Sequence, residues 1–179
     1  MTLVALRHLP TEWNRANRLQ GRADIPIAPL TDELHEAIRR NRMELDALGP
    51  FDAVYCSTLQ RTAQTAAAYG FPDCQRETLL DEFNFGIYEG KLRQELLAGV
   101  GWQWQETPQT LELGEKMTDL EARICQFLAR EIPRQRVLMF GHGCWLRGLL
   151  SIRQRGDMTD TNRVTLAENQ ILRFDFPSA

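Results

Sequence analysis

The sequence runs Arg136-Val137-Leu138-Met139-Phe140-Gly141-His142-Gly143 where a short apolar segment meets a glycine-flanked histidine. Four consecutive apolar residues that end at a glycine are typical of a strand buried on both faces of a sheet. Downstream, Trp145, Leu146, Leu149 and Leu150 recur at the spacing of one helix face. This part of the chain therefore predicts a strand, a turn and a helix in succession.

The same succession recurs along the rest of the chain. Buried strands are predicted at 3–6, 53–56 and 136–140, and a half-exposed last strand is predicted at 171–176, where apolar and charged residues alternate. Because helical segments separate these strands, the pattern predicts an α/β fold. We expect a three-layer sandwich, with a mostly parallel central sheet and helices on both of its faces.

Capping signals predict where several helices begin and end. Thr31 is the expected N-cap of a helix that ends at Gly49-Pro50, and Ser57 is the expected cap of a helix over about 58–69. Thr118 and Glu121 have the spacing of a capping box at the start of a later helix. The segment 83–117 is rich in Gly, Gln and Trp and fits this pattern poorly, so we interpret it as a cap insertion.

Composition limits the classes of protein to consider. The chain has 179 residues, of which 43% are apolar and 25% are charged, and its net charge is -3. These values predict a single globular domain over 1–179 and exclude disorder and a polybasic nucleic-acid binder. Apolar runs stay well below the ~18 residues of a membrane span, and the start is too short for a signal peptide. We therefore expect a soluble, cytoplasmic protein with no membrane partner.

The cysteines predict neither disulfides nor a metal site. Cys56, Cys74, Cys125 and Cys144 form no Cys-x-x-Cys pair, and metal-finger spacing is absent from the sequence. Without a secretory signal, disulfides are not expected. We expect four reduced and mostly buried thiols.

Two histidines and two arginines follow the predicted strands. Arg7 and His8 come directly after the first strand, His142 follows the strand at 136–140, and Arg61 begins the helix after the strand at 53–56. Ligands bind at the carboxyl ends of strands in open parallel sheets, and guanidinium groups match phosphate oxygens. Each histidine alone also fits a core position, and each arginine fits a surface ion pair. Together they favour a site for an anionic ligand.

The run Leu6-Arg7-His8-Leu9-Pro10-Thr11-Glu12-Trp13-Asn14 resembles the Arg-His-Gly-x-Thr-x-x-Asn signature of the histidine phosphatase superfamily, also called phosphoglycerate-mutase-like. Four further blocks follow in the order of that family, at 18–26, 56–66, 80–90 and 140–143. Any single block is a weak signal, whereas the ordered set covers nearly the whole chain.

The resemblance implies a set of catalytic roles. His8 would be the nucleophile that forms a phosphohistidine, and a neutral imidazole is needed for that attack. Arg7, Arg61 and His142 would hold the phosphoryl oxygens and neutralise charge in the transition state. Glu82 would protonate the leaving oxygen and later accept a proton from the attacking water.

The resemblance also implies a phosphate-binding set and decides between neighbouring carboxylates. The further phosphate-binding residues it implies are Asn14, Gln20, Gly21 and Gly143. Asp81 and Glu89 are close to Glu82 in sequence, and Glu82 is preferred because its spacing to Gly86 and Gly90 matches the family block.

Leu9 departs from the motif, because the family has glycine there. We expect its side chain to narrow the pocket or alter the turn, which puts the substrate and the rate in question more than the fold. Trp13, Trp102 and Trp104 are candidates for pocket lining, with a core position as the alternative.

The first functional hypothesis is a metal-independent phosphomonoesterase that hydrolyses a small phosphorylated metabolite and needs no cofactor. In build the chain is similar to short bacterial phosphatases such as alpha-ribazole phosphatase. A mutase of the phosphoglycerate mutase type is the second hypothesis, and a binding protein whose catalysis is impaired by Leu9 is the third. No nucleic-acid partner is expected, and a homodimer stays open, with Trp102 and Trp104 as interface candidates.

Overall fold

The computed structural model describes residues 1–177 and contains one five-stranded sheet. Its strands are β1 (Thr2–Arg7), β2 (Ala53–Cys56), β3 (Gln75–Arg76), β4 (Arg136–Gly141) and β5 (Ile171–Asp175). They lie in the order β3-β2-β4-β1-β5. The strand β4 pairs in parallel with both β1 and β2, and β3 is parallel to β2, whereas β5 is antiparallel to β1. The predicted mostly parallel sheet is confirmed.

Seven α-helices accompany these strands in the described residues. They are α1 (Glu12–Arg15), α2 (Asp32–Leu48), α3 (Gln60–Ala68), α4 (Arg93–Val100), α5 (Gln103–Glu106), α6 (Met117–Glu131) and α7 (Gly143–Arg155). The predicted N-cap of α2 is confirmed, because the Thr31 side chain accepts a hydrogen bond from the backbone N–H of Leu34.

Alternation along the strands builds a core on each face of the sheet. Leu3 and Ala5 of β1 belong to one buried cluster, together with residues of α6 and α7. Val4 and Leu6 point to the opposite face and pack in a second cluster with residues of α2 and α3. Because successive side chains of a strand alternate in direction, a continuous apolar run fills both layers. The three-layer α/β sandwich is therefore confirmed.

Two predicted caps are wrong. The helix α3 begins after Leu59 rather than behind Ser57, and α6 begins after Lys116 without a side-chain cap, so Thr118 and Glu121 form no capping box. At the start of α6 packing replaces the cap, because Met117, its first residue, is fully buried in the core. The short edge strand β3 was not predicted, because its two residues are exposed and carry no apolar pattern.

The segment 83–117 folds as α4, α5 and short 3-10 turns. Phe85, Leu96, Trp104 and Leu111 from this segment belong to the same buried cluster as the residues of α6 and α7. Its apolar residues are therefore used to pack it against the sheet domain. Its role as a cap insertion stays a prediction.

The expectation of four reduced thiols is wrong for two of them. Cys56 and Cys74 form a disulfide, with their Cα atoms 5.9 Å apart. Cys56 ends β2 and Cys74 directly precedes β3, so the pairing of these two strands brings the thiols together despite their separation of 18 residues. Cys125 is free and exposed, and Cys144 is free and buried.

Across residues 1–177, no helix combines the length and the apolar character that crossing a membrane requires.

Candidate active site

A pocket of about 290 Å³ opens at the carboxyl ends of β1, β2 and β4. Its wall contains eight of the nine residues that sequence reasoning assigned to the site: Arg7, His8, Asn14, Gln20, Gly21, Arg61, Glu82 and Gly143. The ninth residue, His142, is fully buried, and its ring centroid lies 5.3 Å from that of His8. The structure thus brings the predicted residues together from five separate parts of the sequence.

The hydrogen bond of His8 fixes which ring nitrogen is free. Its Nδ1 lies 2.7 Å from the carbonyl oxygen of Leu9. Because a carbonyl only accepts hydrogen bonds, Nδ1 carries the proton of the neutral ring and Nε2 carries the lone pair. Burial, and then the charges of Arg61 and Arg7, lower the pKa of His8 well below its ordinary value. The ring is therefore neutral near pH 7, as a nucleophile requires.

His142 stands directly before α7 with one ring nitrogen bonded and one unclaimed. Its Nε2 lies 2.7 Å from Ser57 Oγ, whereas Nδ1 is buried and has no hydrogen-bond partner among residues 1–177. Burial lowers the pKa of His142 well below its ordinary value, and Arg61 and His8 lower it further. An unpaired buried nitrogen is costly, so Nδ1 marks a place where a ligand atom fits.

Sequence reasoning missed the role of Ser57, and it did not assign Arg93, Arg147 and Glu168 to the pocket wall. Instead of capping α3, the Ser57 hydroxyl bonds to His142 Nε2 and lies 2.9 Å from Thr62 Oγ1. The available signal was its position directly after Cys56, the last residue of β2, since that edge of the sheet carries the other site residues. Because a serine shortly before a helix is typical of an N-cap, the sequence predicted a cap at Ser57 and not a contact with His142.

Arg61 is held by two hydrogen bonds from its terminal nitrogens, and its Nε–H is left unused. It is fully buried, its Nη1 donates to the carbonyl of Ala23 at 2.8 Å, and its Nη2 donates to that of Gly21 at 2.7 Å. Its Nε is buried and finds no partner within the described residues. Burial is the main cause that lowers the pKa of Arg61 to about 10, so the guanidinium is still charged at neutral pH.

Arg7 has the same arrangement. Its Nη1 donates to the carbonyl of Leu166, and its Nη2 lies 2.9 Å from the carboxylate of Glu168. Its buried Nε has no partner in the part of the chain that the structure describes. Burial lowers the pKa of Arg7, and Glu168 acts in the opposite direction. Both arginines therefore offer an unclaimed Nε–H beside His8.

The loop between α1 and α2 needs glycine at position 21. Gly21 has a φ of +52°, and a Cβ there would collide with Glu89 Oε1. That carboxylate oxygen accepts hydrogen bonds from the N–H groups of Arg22 at 2.8 Å and Phe85 at 3.2 Å. Glu89 thus holds the loop against the segment that follows Glu82, and its carboxylate is used for structure.

The carboxylates of Asp81, Glu82 and Glu89, which are close in sequence, have different surroundings. Glu82 lines the pocket, and its two oxygens accept hydrogen bonds from the backbone N–H groups of Phe83, Cys144 and Trp145 at 2.9 to 3.1 Å. The last two belong to the first turn of α7. Asp81 instead accepts hydrogen bonds from Thr58 and forms an ion pair with Arg22. Glu82 is the one of the three on the pocket wall.

Two amide side chains complete the predicted phosphate-binding set. Asn14 uses its Oδ1 to accept a hydrogen bond from the N–H of Thr11 at 3.0 Å, which caps α1. Gln20 is buried, and within residues 1–177 its Oε1 makes no hydrogen bond. Both residues lie on the pocket wall.

The expectation that Leu9 narrows the pocket is wrong. Its side chain is fully buried in the second core cluster with Ile38 and Leu45, on the α2 side of the sheet. Its N–H donates to Thr65 Oγ1 at 2.9 Å. His8 lines the pocket and Leu9 does not, so the leucine side chain adds volume to the core.

Among the tryptophans, Trp104 lines the pocket, and Trp13 packs close to Gly90. Trp102 has 69% of its surface exposed. Within the described residues, no group of three or more His, Cys, Asp or Glu side chains is placed to hold a metal ion.

Known proteins with a similar fold include the product of the open reading frame Rv3214 of Mycobacterium tuberculosis. It aligns with a TM-score of 0.81 and 24% identity over 98% of this chain and 91% of that one. A mycobacterial glucosyl-3-phosphoglycerate phosphatase, solved with VO3, aligns with a TM-score of 0.78 and 21% identity over 96% and 91% of the two chains. At these identities the likeness establishes the fold.

Sequence comparison gives a relative and a family. The 2,3-bisphosphoglycerate-dependent phosphoglycerate mutase of Treponema pallidum is 27% identical over 98% of this chain and 87% of its own length. The model of the histidine phosphatase superfamily (branch 1) matches residues 3–178. The chain belongs to the histidine phosphatase superfamily.

Proposed function

We propose that the protein is a metal-independent phosphomonoesterase that hydrolyses a small phosphorylated metabolite through a phosphohistidine at His8. One observation carries this proposal: a neutral imidazole with a free Nε2 lies beside three buried nitrogen atoms without partners in residues 1–177. Those atoms are Arg7 Nε, Arg61 Nε and His142 Nδ1. A phosphoryl group has three equatorial oxygens that need such donors while its charge develops.

The proposed reaction has two steps, transfer of the phosphoryl group to His8 and hydrolysis of the phosphohistidine. In the first, the lone pair of His8 Nε2 forms a bond to phosphorus while the bond from phosphorus to the ester oxygen breaks, and Glu82 supplies a proton to the leaving oxygen. In the second, a water oxygen forms a bond to phosphorus while the bond from phosphorus to His8 Nε2 breaks, and Glu82 accepts the proton of the water. Phosphate is released, and His8 returns to its starting form. The position of Glu82 on the pocket wall supports this role.

Metal independence is supported by the charge of the pocket wall. Arg7 and Arg61 border the nucleophile, and the wall also contains Arg18, Arg93 and Arg147. A divalent cation would be repelled by these guanidinium groups, which can themselves neutralise the phosphoryl oxygens.

A mutase of the phosphoglycerate mutase type is the second candidate function, and it is favoured by the mutase relative described above. A mutase returns the phosphoryl group to a bound substrate and depends on a bisphosphorylated cofactor. A requirement for 2,3-bisphosphoglycerate in the assay therefore separates the two candidates. The binding-only hypothesis rested on Leu9, and it loses that basis because Leu9 lies in the core.

Trapping the intermediate tests the proposal. The protein is mixed with labelled p-nitrophenyl phosphate in excess chelator, quenched in base and assayed for protein-bound label. We expect turnover and label that is labile in acid, as a phosphoramidate is, and we expect His8→Ala to lose both. Label that persists in His8→Ala, or turnover that returns only with added divalent ions, would contradict the proposal.

A further inference from the structure

The loop 166–170, which precedes β5, closes around the end of β1. The N–H of Asn169 lies 3.1 Å from the carbonyl oxygen of Arg7 and 3.3 Å from that of His8, and it donates to both. In return, the N–H of Arg7 donates to the carbonyl oxygen of Gln170 at 3.1 Å. The backbone that carries the proposed nucleophile is therefore held by a loop from the other end of the chain.

Helices on the far side of the sheet hold this loop through Asn169. Its φ is +61°, a conformation that asparagine adopts more readily than most residues. Its Oδ1 accepts a hydrogen bond from the hydroxyl of Tyr69 at 2.5 Å, and its carbonyl oxygen accepts one from Asn41 Nδ2 at 2.9 Å. Tyr69 is buried at the end of α3, and Asn41 belongs to α2. The path of the loop therefore does not depend on the side chain of Glu168.

Glu168 uses its side chain to hold the guanidinium group of Arg7. Its carboxylate lies 2.9 Å from Arg7 Nη2, while Arg7 Nη1 donates to the carbonyl of Leu166. Within residues 1–177, Glu168 is the carboxylate that forms an ion pair with Arg7. Because a guanidinium is planar, two partners at its terminal nitrogens also fix the direction of Nε–H, the donor left for a ligand.

Arg7 needs such a partner because a second guanidinium lies close to it. A Cβ built on Gly143 would lie 3.2 Å from Arg7 Cζ and 3.3 Å from Arg147 Nη1, so the two cations flank the same glycine. Arg147 lowers the pKa of Arg7, whereas Glu168 raises it against the effect of burial. Without Glu168, repulsion from Arg147 would act on a guanidinium held at one nitrogen.

Binding of a phosphoryl group does not by itself require Glu168. The residue lies on the pocket wall, and its negative charge opposes the binding of a phosphate dianion. Glu82, which also lines the pocket, already supplies a carboxylate for proton transfer in the proposed reaction. The contact that accounts for a second carboxylate on this wall is its ion pair with Arg7.

We propose that Glu168 is a positioning residue, which holds the Arg7 guanidinium so that its Nε–H meets the phosphoryl group beside His8. In this role Glu168 touches neither the substrate nor the reacting atoms and acts only through Arg7. This inference rests on the proposed function, because that function makes Arg7 a donor to the phosphoryl oxygens. Since charge on these oxygens develops in the transition state, loss of Glu168 lowers kcat more than it weakens substrate binding.

Two substitutions at Glu168 separate hydrogen bonding from packing. We expect Glu168→Ala to lower kcat for p-nitrophenyl phosphate by roughly 10- to 100-fold, the range that hydrogen bonds to charged groups supply, with KM unchanged or lower. Glu168→Gln should recover most of the loss, because its amide oxygen still accepts from Arg7 Nη2. Glu36→Ala is the matched control: Glu36 also pairs with an arginine, Arg40, on the exposed face of α2, and kcat should not change.

A double-mutant cycle tests whether Glu168 acts through Arg7. In an Arg7→Ala background, we expect Glu168→Ala to lower kcat no further, because the group that it positions is gone. A purely structural role would instead produce the same loss in both backgrounds. Alkyl phosphates and p-nitrophenyl phosphate should slow alike in Glu168→Ala, since positioning of Arg7 is needed with either leaving group.

Nitrogen NMR of Arg7 Nε gives a readout that does not need turnover. Inorganic phosphate should shift this resonance in the unchanged protein and in Glu168→Gln, and by much less in Glu168→Ala. The resonance is assigned by its loss in Arg7→Lys. An equal phosphate shift in all three proteins would overturn the positioning role.

The positioning role and the proposed function fail differently. An unchanged kcat in Glu168→Ala, or an equal loss in both Arg7 backgrounds, would overturn the positioning role and leave the phosphatase in place. A loss confined to alkyl phosphates would assign proton transfer to Glu168 and overturn it as well. Absence of hydrolysis and of labelled His8 in the unchanged protein would overturn the proposed function, and the NMR shift with phosphate would still test the contact with Arg7.

Discussion

The carbonyl oxygen of Leu9 accepts the hydrogen bond of His8 Nδ1 at 2.7 Å, so the residue that departs from the family motif also orients the proposed nucleophile. The contact uses a backbone atom, which glycine and leucine supply equally. The side chain of Leu9 then performs a separate task in the core. Orientation of His8 and stability of the fold thus meet at one residue through different atoms.

Leu9→Ala is expected to destabilise the fold and to leave the chemistry in place. Removing a fully buried leucine side chain costs about 2–5 kcal/mol of the free energy of unfolding. Because the carbonyl remains, kcat/KM of the folded protein is expected to change only severalfold. Urea unfolding and assays below the transition measure both, and Leu9→Met is the conservative control. A stable Leu9→Ala protein with a broadened substrate range would contradict the core position.

The free energy of unfolding is expected to decrease as pH falls, because His8 and His142 are buried and neutral. Their pKa values in the folded state are lowered, so between the ordinary value near 6.5 and the folded value the unfolded chain binds more protons. The free energy of unfolding therefore decreases as pH falls below about 6.5, by up to about 1.4 kcal/mol per pH unit for each histidine.

Unfolding measured from pH 7 to 5 checks this slope. His8→Asn and His142→Asn should each flatten it. His35→Gln is the control, because His35 is exposed on α2 and should leave the slope unchanged. An unchanged slope in both site variants would indicate that other groups cause the pH dependence.

Ser57→Ala is expected to impair the site through His142. We expect the Ser57 hydroxyl to donate to Nε2, which keeps the proton of the neutral ring on Nδ1, the atom without a partner in residues 1–177. Partners that orient metal-bound histidines contribute about 10- to 100-fold to activity, and we expect a loss within that range here. Nitrogen NMR of His142 reads the tautomer directly. If Ser57→Ala lowers stability but keeps the tautomer and kcat/KM, Ser57 has a purely structural role.

Glu82→Gln is expected to separate substrates by their leaving groups. Alkyl phosphates should slow far more than p-nitrophenyl phosphate, because nitrophenolate leaves without protonation. Asp81→Asn is the matched control: Asp81 holds Thr58 and Arg22, so its loss should affect both substrates alike. The ratio of kcat/KM for the two esters measures the effect. If Glu82→Gln lowers kcat/KM equally for both esters, Glu82 does not transfer the proton.

Reduction of the disulfide is expected to lower stability. Cys56 and Cys74 close a loop that contains α3, and cross-links of this span contribute about 3 kcal/mol to the free energy of unfolding. Urea unfolding with and without a dithiol reductant measures the difference, and Cys74→Ser should reproduce the reduced state. Cys125→Ser, which alters a free thiol, is the control. Identical midpoints in all of these would argue against the cross-link.

Much of the fold follows from local pattern. Continuous apolar runs predicted β1, β2 and β4, because strands covered on both faces leave no polar alternation. Thr31 predicted the start of α2 because its side chain and the first helical N–H groups are neighbours in sequence. The same local pattern wrongly predicted a cap at Ser57, because its hydroxyl contacts His142, which lies 85 residues away in the sequence.

The sequence predicted which residues form the site, but it did not predict the contacts that those residues make. Strand ends identified Arg7, His8 and His142 because residues at one sheet edge meet whatever their distance in sequence. Direction was harder to predict: Leu9 points away from the pocket into the cluster of Val4 and Leu6, because β1 ends at Arg7 and the alternation of the strand no longer applies. The disulfide depends on β3, whose two exposed residues carry no signal.

The position of β1 between β4 and β5 has a consequence for the newly made chain. Arg7 ends β1 and His8 follows it directly, but β1 pairs only with strands that begin at Arg136 and Ile171, and Arg7 is anchored by Leu166 and Glu168. Such a topology has high contact order, and β1 stays unpaired while the ribosome completes the chain. The pocket around His8 is therefore expected to form late and all at once, because the strands that hold β1 in place come from the second half of the described chain.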